Sequence, residues 1–535
     1  MSPRAAWRAL GARLRGLRSR RLGIALACGS LVVASACNRG SPPAKGAGAP
    51  STLVIGLDSD PTNLDPRLAT DAASSRILDL VCEGLVRLAG DGSPRPALAA
   101  SWDVTEDRNY VFHLASGVTF SDGSPLSAAD VKATLEAVLD PAFASPHRAA
   151  LARIRSIDTP DPATVAIRLD EPYAPLLTAL SVGILPAAKV ADHTQKYARG
   201  ATCTGPYQVR SFAAGDRVVV EANPHFRGAA PAIERIELKI LTDEATRALE
   251  LRKGSVQFLL NGVAPDRIAD LEGDPALAIV RTASANTTYL GFNLTDPLLS
   301  DVRVRRAIAQ AIDRDGIIRS LLGGHALPAT GLLPPSSWAY AGDVARQPYD
   351  PAAAKRLLDE AGKPDADGDG PALRFTLVHK TSEDKLRRRI AEVLQSQLAA
   401  VGVGLTIQSS EWGTFFDDIK RGNFQTFTLQ WVGVTEPDMF WTVFHSANVP
   451  PAGANRGRFH DARVDELSER AHTLLDPAAR KPLYAEIQRL VADELPYVFL
   501  WHEEHIAVMS KRLEGFELDP RGSFDSFARA RWAGG

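Results

Sequence analysis

The sequence predicts a mixed α/β protein made of more than one folding unit. Three observations carry this. The chain has 535 residues, too many for one compact core. Segments of strict two-residue alternation, such as Tyr110, Phe112 and Leu114, are interleaved with segments of helical period. Hydrophobic content of 45% and charged content of 23% are those of a folded, soluble chain.

The elements follow in order. Leu53 to Leu57 is an apolar strand, closed by the turn residues Asp60, Pro61, Asn63, Asp65 and Pro66. A helix is expected over 72–83, with Ile77, Leu78, Val81 and Cys82 on one face. A strand over 109–114 leads through an Asp122–Gly123 turn to a helix, whose start is marked by Ser127 and Asp130 at capping-box spacing. "TVAIRLD" is another alternating strand. "YQVRSFAAGDRVVVEANP" reads as two strands joined by a Gly-Asp turn and ended by an Asn-Pro turn. "RIELKIL" is a strand, and "DEATRALELRKG" a helix stopped by Gly254. "TTYLGFNL" is a strand. "DVRVRRAIAQAIDRDGIIRSLLG" is read as one helix with Val304, Ile308, Ala311 and Ile312 inward, and Arg303, Arg305, Arg306 and Asp313 in solvent. "LRFTLV" is a strand, "KLRRRIAEVLQSQLAAVG" a helix and "VGLTIQ" a strand.

The N-terminus has a different character. Residues 1–36 hold seven arginines and no acid, and end in the apolar run Leu22–Ala36. That run is too short to span a bilayer but has the length of a signal-peptide core. "ASAC", with small residues Ser35 and Ala36 before Cys37, resembles a bacterial lipoprotein cleavage site, with Cys37 as the lipidated residue. Residues 37–51, rich in Gly, Pro, Ala and Ser, are expected to be a flexible tether. Removing seven of the 61 basic residues leaves 54 against 63 acids, a net charge near −9. That balance excludes a nucleic-acid-binding role. Export places the chain in an oxidising compartment. Cys82 and Cys203 are the remaining pair, either one disulfide or two separate buried thiols.

Motifs for chemistry are weak. Asp365, Asp367 and Asp369, followed by Gly370, start like a calcium loop, but Thr376 stands where a bidentate acid belongs. A weak calcium site and a polar turn both remain open. "WHEEH" holds His502 and His505 at i and i+3 within a strand, where they face opposite sides and cannot share a zinc ion. No nucleophile elbow, P-loop or dinucleotide fingerprint occurs, so no enzyme activity, cofactor or metal is expected.

"FQTFTLQWVGVTEPDMFWTVFHS", residues 424–446, carries six aromatics around a polar turn. Phe427, Leu429 and Trp431 alternate on one face of a strand, with Thr426, Thr428 and Gln430 on the other. Thr435 is expected to cap a following helix, with Pro437 in its first turn and Asp438 three residues on. A strand end followed by a helix start is where α/β folds place crevices.

Several segments together resemble the bacterial extracellular solute-binding proteins of family 5, the peptide, nickel and related binding components of ABC importers. They are "TNLDP", "CEGLVRL", "YVFHLASGVTFSDGSPLSAADV", "TGPYQV", "NPHFRG", "GFNLTDPLLSDVRVRRAIAQAIDRDGII" and "ARVDELSERAHTLLDPAARKPLYAEIQRLVADELPYVFL". The resemblance covers 52–530. It implies a two-lobed, hinged α/β fold of the type II periplasmic-binding-protein kind, with an extra inserted domain. Lobe I maps to 52–88, 203–285 and 499–531, the inserted domain to 89–202 and lobe II to 286–498. Cys82 and Cys203 would then flank the insertion, which favours the disulfide. A periplasmic, lipid-anchored monomer is implied, with an ABC permease and ATPase as partners.

The resemblance also assigns a cleft. Trp431, Val432, Thr435, Glu436 and Asp438 would line it, with Tyr289 and Asn293 at the lobe crossover. Peptide binders of the family carry an aspartate three residues after the tryptophan, which pairs with the ligand's α-amine. Here Val434 holds that position, and Glu436 or Asp438 would either replace the acid or serve the helix start. Two ligand readings stay open: a peptide or peptide-like solute for import, or a non-peptide solute (an opine, a sugar or a metal chelate) for sensing or scavenging.

Overall fold

The computed structural model describes residues 52–534, apart from 191–195, 265–266, 369, 371 and 452. The expected signal segment, Cys37 and the tether up to residue 51 lie outside the described residues, as does Asp369.

One mixed sheet organises the described residues. Its order runs Val403–Ser410, Phe375–Ser382, Thr426–Trp431, Leu277–Phe292, Tyr497–Ser510, Phe258–Leu260, Thr52–Leu57, Arg235–Ile240, Arg217–Ala222 and Tyr207–Ala213. At one end Phe375–Ser382 pairs parallel with both Val403–Ser410 and Thr426–Trp431. At the other, Thr52–Leu57 lies parallel to Arg235–Ile240 and to Phe258–Leu260. The two long strands Leu277–Phe292 and Tyr497–Ser510 join the two ends and pair antiparallel. Their register breaks between Ala283 and Thr287, where residues 284–286 are skipped.

Hydrophobic burial divides in the same way. Leu53, Ile55, Leu57, Ile77, Tyr207 and Phe258 belong to one core. Leu290, Ile308, Leu377, Leu394 and Trp501 form a second, and Tyr289, Phe427, Phe440, Phe444 and Tyr484 a third on the other face of that half of the sheet. A separate antiparallel sheet, Ala99–Thr105, Asn109–Leu114, Thr164–Leu169 and Ile154–Asp161, has its own core around Phe112, Val131 and Leu135. Its helix Ala128–Leu139 starts as expected: the Asp130 carboxylate accepts from the Ser127 N–H and hydroxyl, both at 2.8 Å.

Four local expectations are corrected. The helix read over 301–323 is two helices, Val302–Ala311 and Arg314–Leu321. Asp313 ends the run between them by accepting from the Gly316 N–H at 2.8 Å. Arg305 is not in solvent. It is 4% exposed, and its guanidinium donates to the carbonyls of Leu299, Ser300, Glu494 and Leu495, so charge stays buried by satisfying helix-end carbonyls. The strand containing "TTYLGF" begins ten residues earlier, at Leu277. Thr435 caps no helix: the helix after the turn is Met439–Phe444, preceded by Asp438.

The residues of the two weak metal motifs make local contacts. Asp365 lies 3.7 Å from Arg374, and Asp367 accepts from the Ala372 N–H at 3.0 Å, so both serve the turn. His502 bonds Thr287 through Nδ1 at 3.0 Å, while His505 bonds Asn261 at 2.8 Å. Among the described residues no cluster of metal-ligating side chains occurs.

Candidate functional site

The three parallel strands Phe375–Ser382, Val403–Ser410 and Thr426–Trp431 end on one edge. Open α/β sheets place ligand crevices outside such C-terminal edges. Trp431 is the last residue of its strand and pairs with Thr287, beside the register break. It is half-buried. One ring face stacks near Tyr289, with centroids 6.0 Å apart, and the Arg456 guanidinium lies 4.3 Å from its ring centre. Its indole N–H has no hydrogen-bond partner among the described residues. Val432, next in sequence, is 71% exposed.

Behind Trp431, Tyr289 is fully buried, stacked 4.2 Å from Tyr497, and its hydroxyl accepts from Arg456 Nη1 at 2.8 Å. Tyr289 therefore packs behind Trp431 and has no exposed surface. Asn293 lies beyond the opposite end of the same pairing, where Phe292 faces Thr426. Its amide donates to the Phe424 carbonyl at 3.0 Å, and its oxygen accepts from the Thr295 hydroxyl at 2.8 Å. Asn293 shapes a turn on the far edge from Trp431, which corrects its assignment to the cleft.

The turn after Trp431 is tied down throughout. Gly433 N–H donates to Asn286 Oδ1 at 3.0 Å, and Val434 N–H to the Ala285 carbonyl at 2.7 Å. Val434 is buried in the aromatic core. A side chain at Gly92, where φ is +85°, would run into the Thr435 carbonyl. Glu436 Oε1 accepts from Arg480 Nη2 at 2.7 Å, and Oε2 from the Thr178 hydroxyl at 3.0 Å. Burial works against the Arg480 charge, but the Glu436 carboxylate beside it keeps that charge firmly in place. Asp438 is buried 2.9 Å from His472 Nδ1, and the His472 ring stacks 4.7 Å from Trp441. Both acids considered as amine partners are thus engaged within the protein.

Thr178 connects this turn to a second feature. It lines a cavity of about 320 Å³ bounded by Pro66, Ala69, the helix Ala72–Val81, His147 and residues 178–183. Cavities that hold small ligands start near this size. A second cavity of about 260 Å³ shares Asp79, Cys82 and Ser181 with it and extends toward Arg521 and Asp525. At the corner, Cys82 and Cys203 are joined by a disulfide with Cα atoms 4.8 Å apart. His147 Nε2 lies 3.0 Å from the Ala69 carbonyl, so that nitrogen carries the proton. Burial lowers the His147 pKa and favours the neutral ring.

Sequence reasoning missed Asp79, His147 and Thr178. A signal existed for Asp79: it is one acid inside the apolar run "ILDLV". His147 and Thr178 come from loops with no periodicity, and nothing local marks them.

The wider comparisons agree with this architecture. The family model described as "Bacterial extracellular solute-binding proteins, family 5 Middle" matches residues 93–450. Protein XP55 of Streptomyces lividans is 31% identical over 95% of this chain and 93% of its own. Di/tripeptide-binding protein 2 of Pseudomonas aeruginosa is 29% identical over 90% and 95%. The crystal structure of NikZ from Campylobacter jejuni in complex with Ni(L-His) superposes with a TM-score of 0.76 at 28% identity, covering 90% of this chain and 99% of NikZ. A family model spanning most of the chain, with relatives matched nearly end to end, makes this protein a member of the bacterial extracellular solute-binding proteins, family 5.

Proposed function

We propose that this protein is the capture component of an ABC importer and takes a peptide or peptide-like solute between two lobes. The moving bodies are 52–88 with 203–285 and 499–531, carrying the insertion 89–202, against 286–498. The observation that carries the reading is the pairing of two walls. The segment carrying the aromatic wall at Trp431 meets the segment carrying the small polar cavity at Thr178 where the Thr178 hydroxyl donates to Glu436, and beside it where Ala174 N–H donates to the His472 carbonyl. A solute touching both walls favours their approach, because it binds the closed arrangement better than the open one. No covalent step is needed. Lipidation at Cys37 would hold the protein on the membrane as a monomer within tether reach of a permease.

The likeness to a di/tripeptide-binding protein favours a short peptide, and the cavity volume fits one end of such a ligand. The likeness to NikZ with Ni(L-His) supports a second reading, a metal chelate. Native mass spectrometry of the purified protein, with calorimetry against trialanine and Ni(L-His), separates the two. The expected result is a retained peptide mass and trialanine binding that weakens about tenfold or more in Trp431→Ala, the loss of one aromatic contact. Binding of Ni(L-His) alone, or unchanged affinity in Trp431→Ala, would overturn the peptide reading or the Trp431 wall respectively.

A further inference from the structure

The 320 Å³ cavity contains one carboxylate that the turn chemistry leaves unexplained. Asp79 projects from the helix Ala72–Val81 and lines both cavities. The other acids nearby each have a basic partner within 4.0 Å. Glu83 pairs with Arg227 at 3.1 Å, Asp525 with Arg521 at 3.7 Å and Glu436 with Arg480 at 2.7 Å. Asp438 has His472. Among the described residues, Asp79 has no basic nitrogen within 4.0 Å. Its Oδ2 accepts only a long bond, 3.3 Å, from the Phe524 N–H, with the Ser523 hydroxyl as a further donor.

The rest of the cavity lining has matching chemistry. Among the described residues, no Lys or Arg side chain lines it. Its polar groups are the hydroxyls of Ser75, Thr178 and Ser181 and the ring of His147. With Nε2–H spent on the Ala69 carbonyl, a neutral His147 presents Nδ1 as an acceptor. Arg76 and Arg521 act on Asp79 from beyond 4.0 Å, and Arg521 lines the adjoining cavity, but neither forms an ion pair with it, so the carboxylate among acceptors can still receive a donor-rich positive group.

We propose that Asp79 receives a cationic group of the solute, an ammonium or a guanidinium, and so supplies a negative charge of the kind that Val434 lacks. This rests on the solute-binding reading above. It specifies the ligand class as cation-bearing, and for a peptide it assigns the free amino end to the Asp79 cavity.

The protonation of Asp79 supports the assignment. Burial first, and the Asp525 charge second, lift its pKa to about 7, while Arg521 opposes them. Arg76 on the same helix also faces it, and His147 lies on the same cavity wall. A bound cation favours the ionised form. Capture near neutral pH therefore releases protons, and affinity falls as the pH drops below about 7.

The test is isothermal calorimetry with three probes, trialanine, N-acetyl-trialanine and agmatine, on wild type, Asp79→Asn and Asp79→Glu. Asn keeps the side-chain shape and an acceptor for Phe524. Wild type should bind trialanine about 10- to 100-fold more tightly than its acetylated form, the range of a charge-assisted hydrogen bond. Asp79→Asn should abolish that preference by weakening trialanine alone, and Asp79→Glu should retain part of it. If trialanine keeps its preference in Asp79→Asn, the Asp79 proposal is overturned while the peptide reading stands. If only agmatine binds, and does so through Asp79, the peptide reading falls and the proposal stands. If no probe binds, both fall. Should Asp79→Asn fail to fold, wild type is titrated with trialanine in two buffers of different ionisation enthalpy at pH 7. Proton release on binding is then expected, and its absence would overturn the proposal.

Discussion

Glu436 sits where a ligand-binding acid and a structural acid are easiest to confuse. Its carboxylate meets Arg480, whose side chain is 5% exposed, and Glu436 itself is 17% exposed. An ion pair this deep is not a large source of stability, but breaking it strands a buried charge. Glu436→Gln should therefore lower the free energy of unfolding by about 3 kcal/mol, read from urea denaturation, and loosen the Thr178 contact. If the variant instead kept full stability and lost only solute affinity, Glu436 would be the ligand's partner and Arg480 incidental. Part of this site is legible in the sequence because it is periodic: Phe427, Leu429 and Trp431 alternate onto one face of their strand, although Thr426 and Thr428 on the other face are buried as well. The role of Glu436 is not legible, because its partners lie 44 and 258 residues away in the chain. The Thr-x-x-Asp spacing at Thr435 is a local signal, and the distant Arg480 and His472 overrode it by fixing Glu436 and Asp438 instead.

Among the elements, the helix Ala72–Val81 is fixed at both ends. Asp71 starts it by accepting from the Ser74 N–H at 2.8 Å, and Cys82 ends it in the bond to Cys203. The returning chain is pressed against that helix end. Gly205 N–H donates to the Val81 carbonyl at 3.0 Å, and a Cβ at Gly205 would strike the Val81 backbone. The disulfide thus pins the place where residues 83–202 leave and re-enter. It closes 121 residues, for which chain entropy predicts about 5 kcal/mol of stabilisation. Cys82→Ser with Cys203→Ser should cost up to about that amount in denaturant unfolding, and reductant should then have no further effect on the variant. Equal stability of wild type with and without reductant would remove this role. Cysteine counting brought the pair together but left two free thiols possible, because pairing is a property of the fold. Helix boundaries were less legible. "AIAQAIDRDGII" keeps an apolar stripe through Asp313, and only the Gly316 N–H bonded to Asp313 reveals the break. Arg305 misled for a similar reason, since a long cationic side chain enters a core when helix-end carbonyls await it.

Across the whole molecule, the sheet depends on Leu277–Phe292 and Tyr497–Ser510 crossing from one half to the other. The skipped residues 284–286 interrupt their ladder beside Trp431 and the turn after it, where bending disturbs few backbone bonds. Three of the five buried histidines among the described residues, His379, His502 and His505, lie on strands of this sheet. His379 lies between the Thr426 and Thr428 hydroxyls, at 3.0 and 3.1 Å. His502 and His505 flank Glu503 and Glu504 on the return strand. Burial lowers each pKa to about 4, so all three are neutral in the native protein at pH 7. An unfolded histidine titrates near 6.5. Between about pH 6.5 and 4 the unfolded chain therefore binds more protons, and each histidine removes stability as the pH falls through that window, up to about 3 kcal/mol each. Asp79 acts oppositely. Its raised pKa makes the native state the better proton acceptor from about pH 4 to 7, so its share of stability grows on acidification. A single acid-unfolding curve mixes these signs, and a difference between two proteins separates them. His379→Gln should be less stable than wild type at pH 7.5, because Gln fills the site and its two hydroxyl contacts imperfectly. As the pH is lowered to 4, wild type should lose the histidine contribution that the variant no longer has, and the gap should close by up to about 3 kcal/mol. Urea titrations of both proteins at half-unit pH steps measure this directly. Curves that stay parallel from pH 7.5 to 4 would show that protonation of His379 is not part of the acid response.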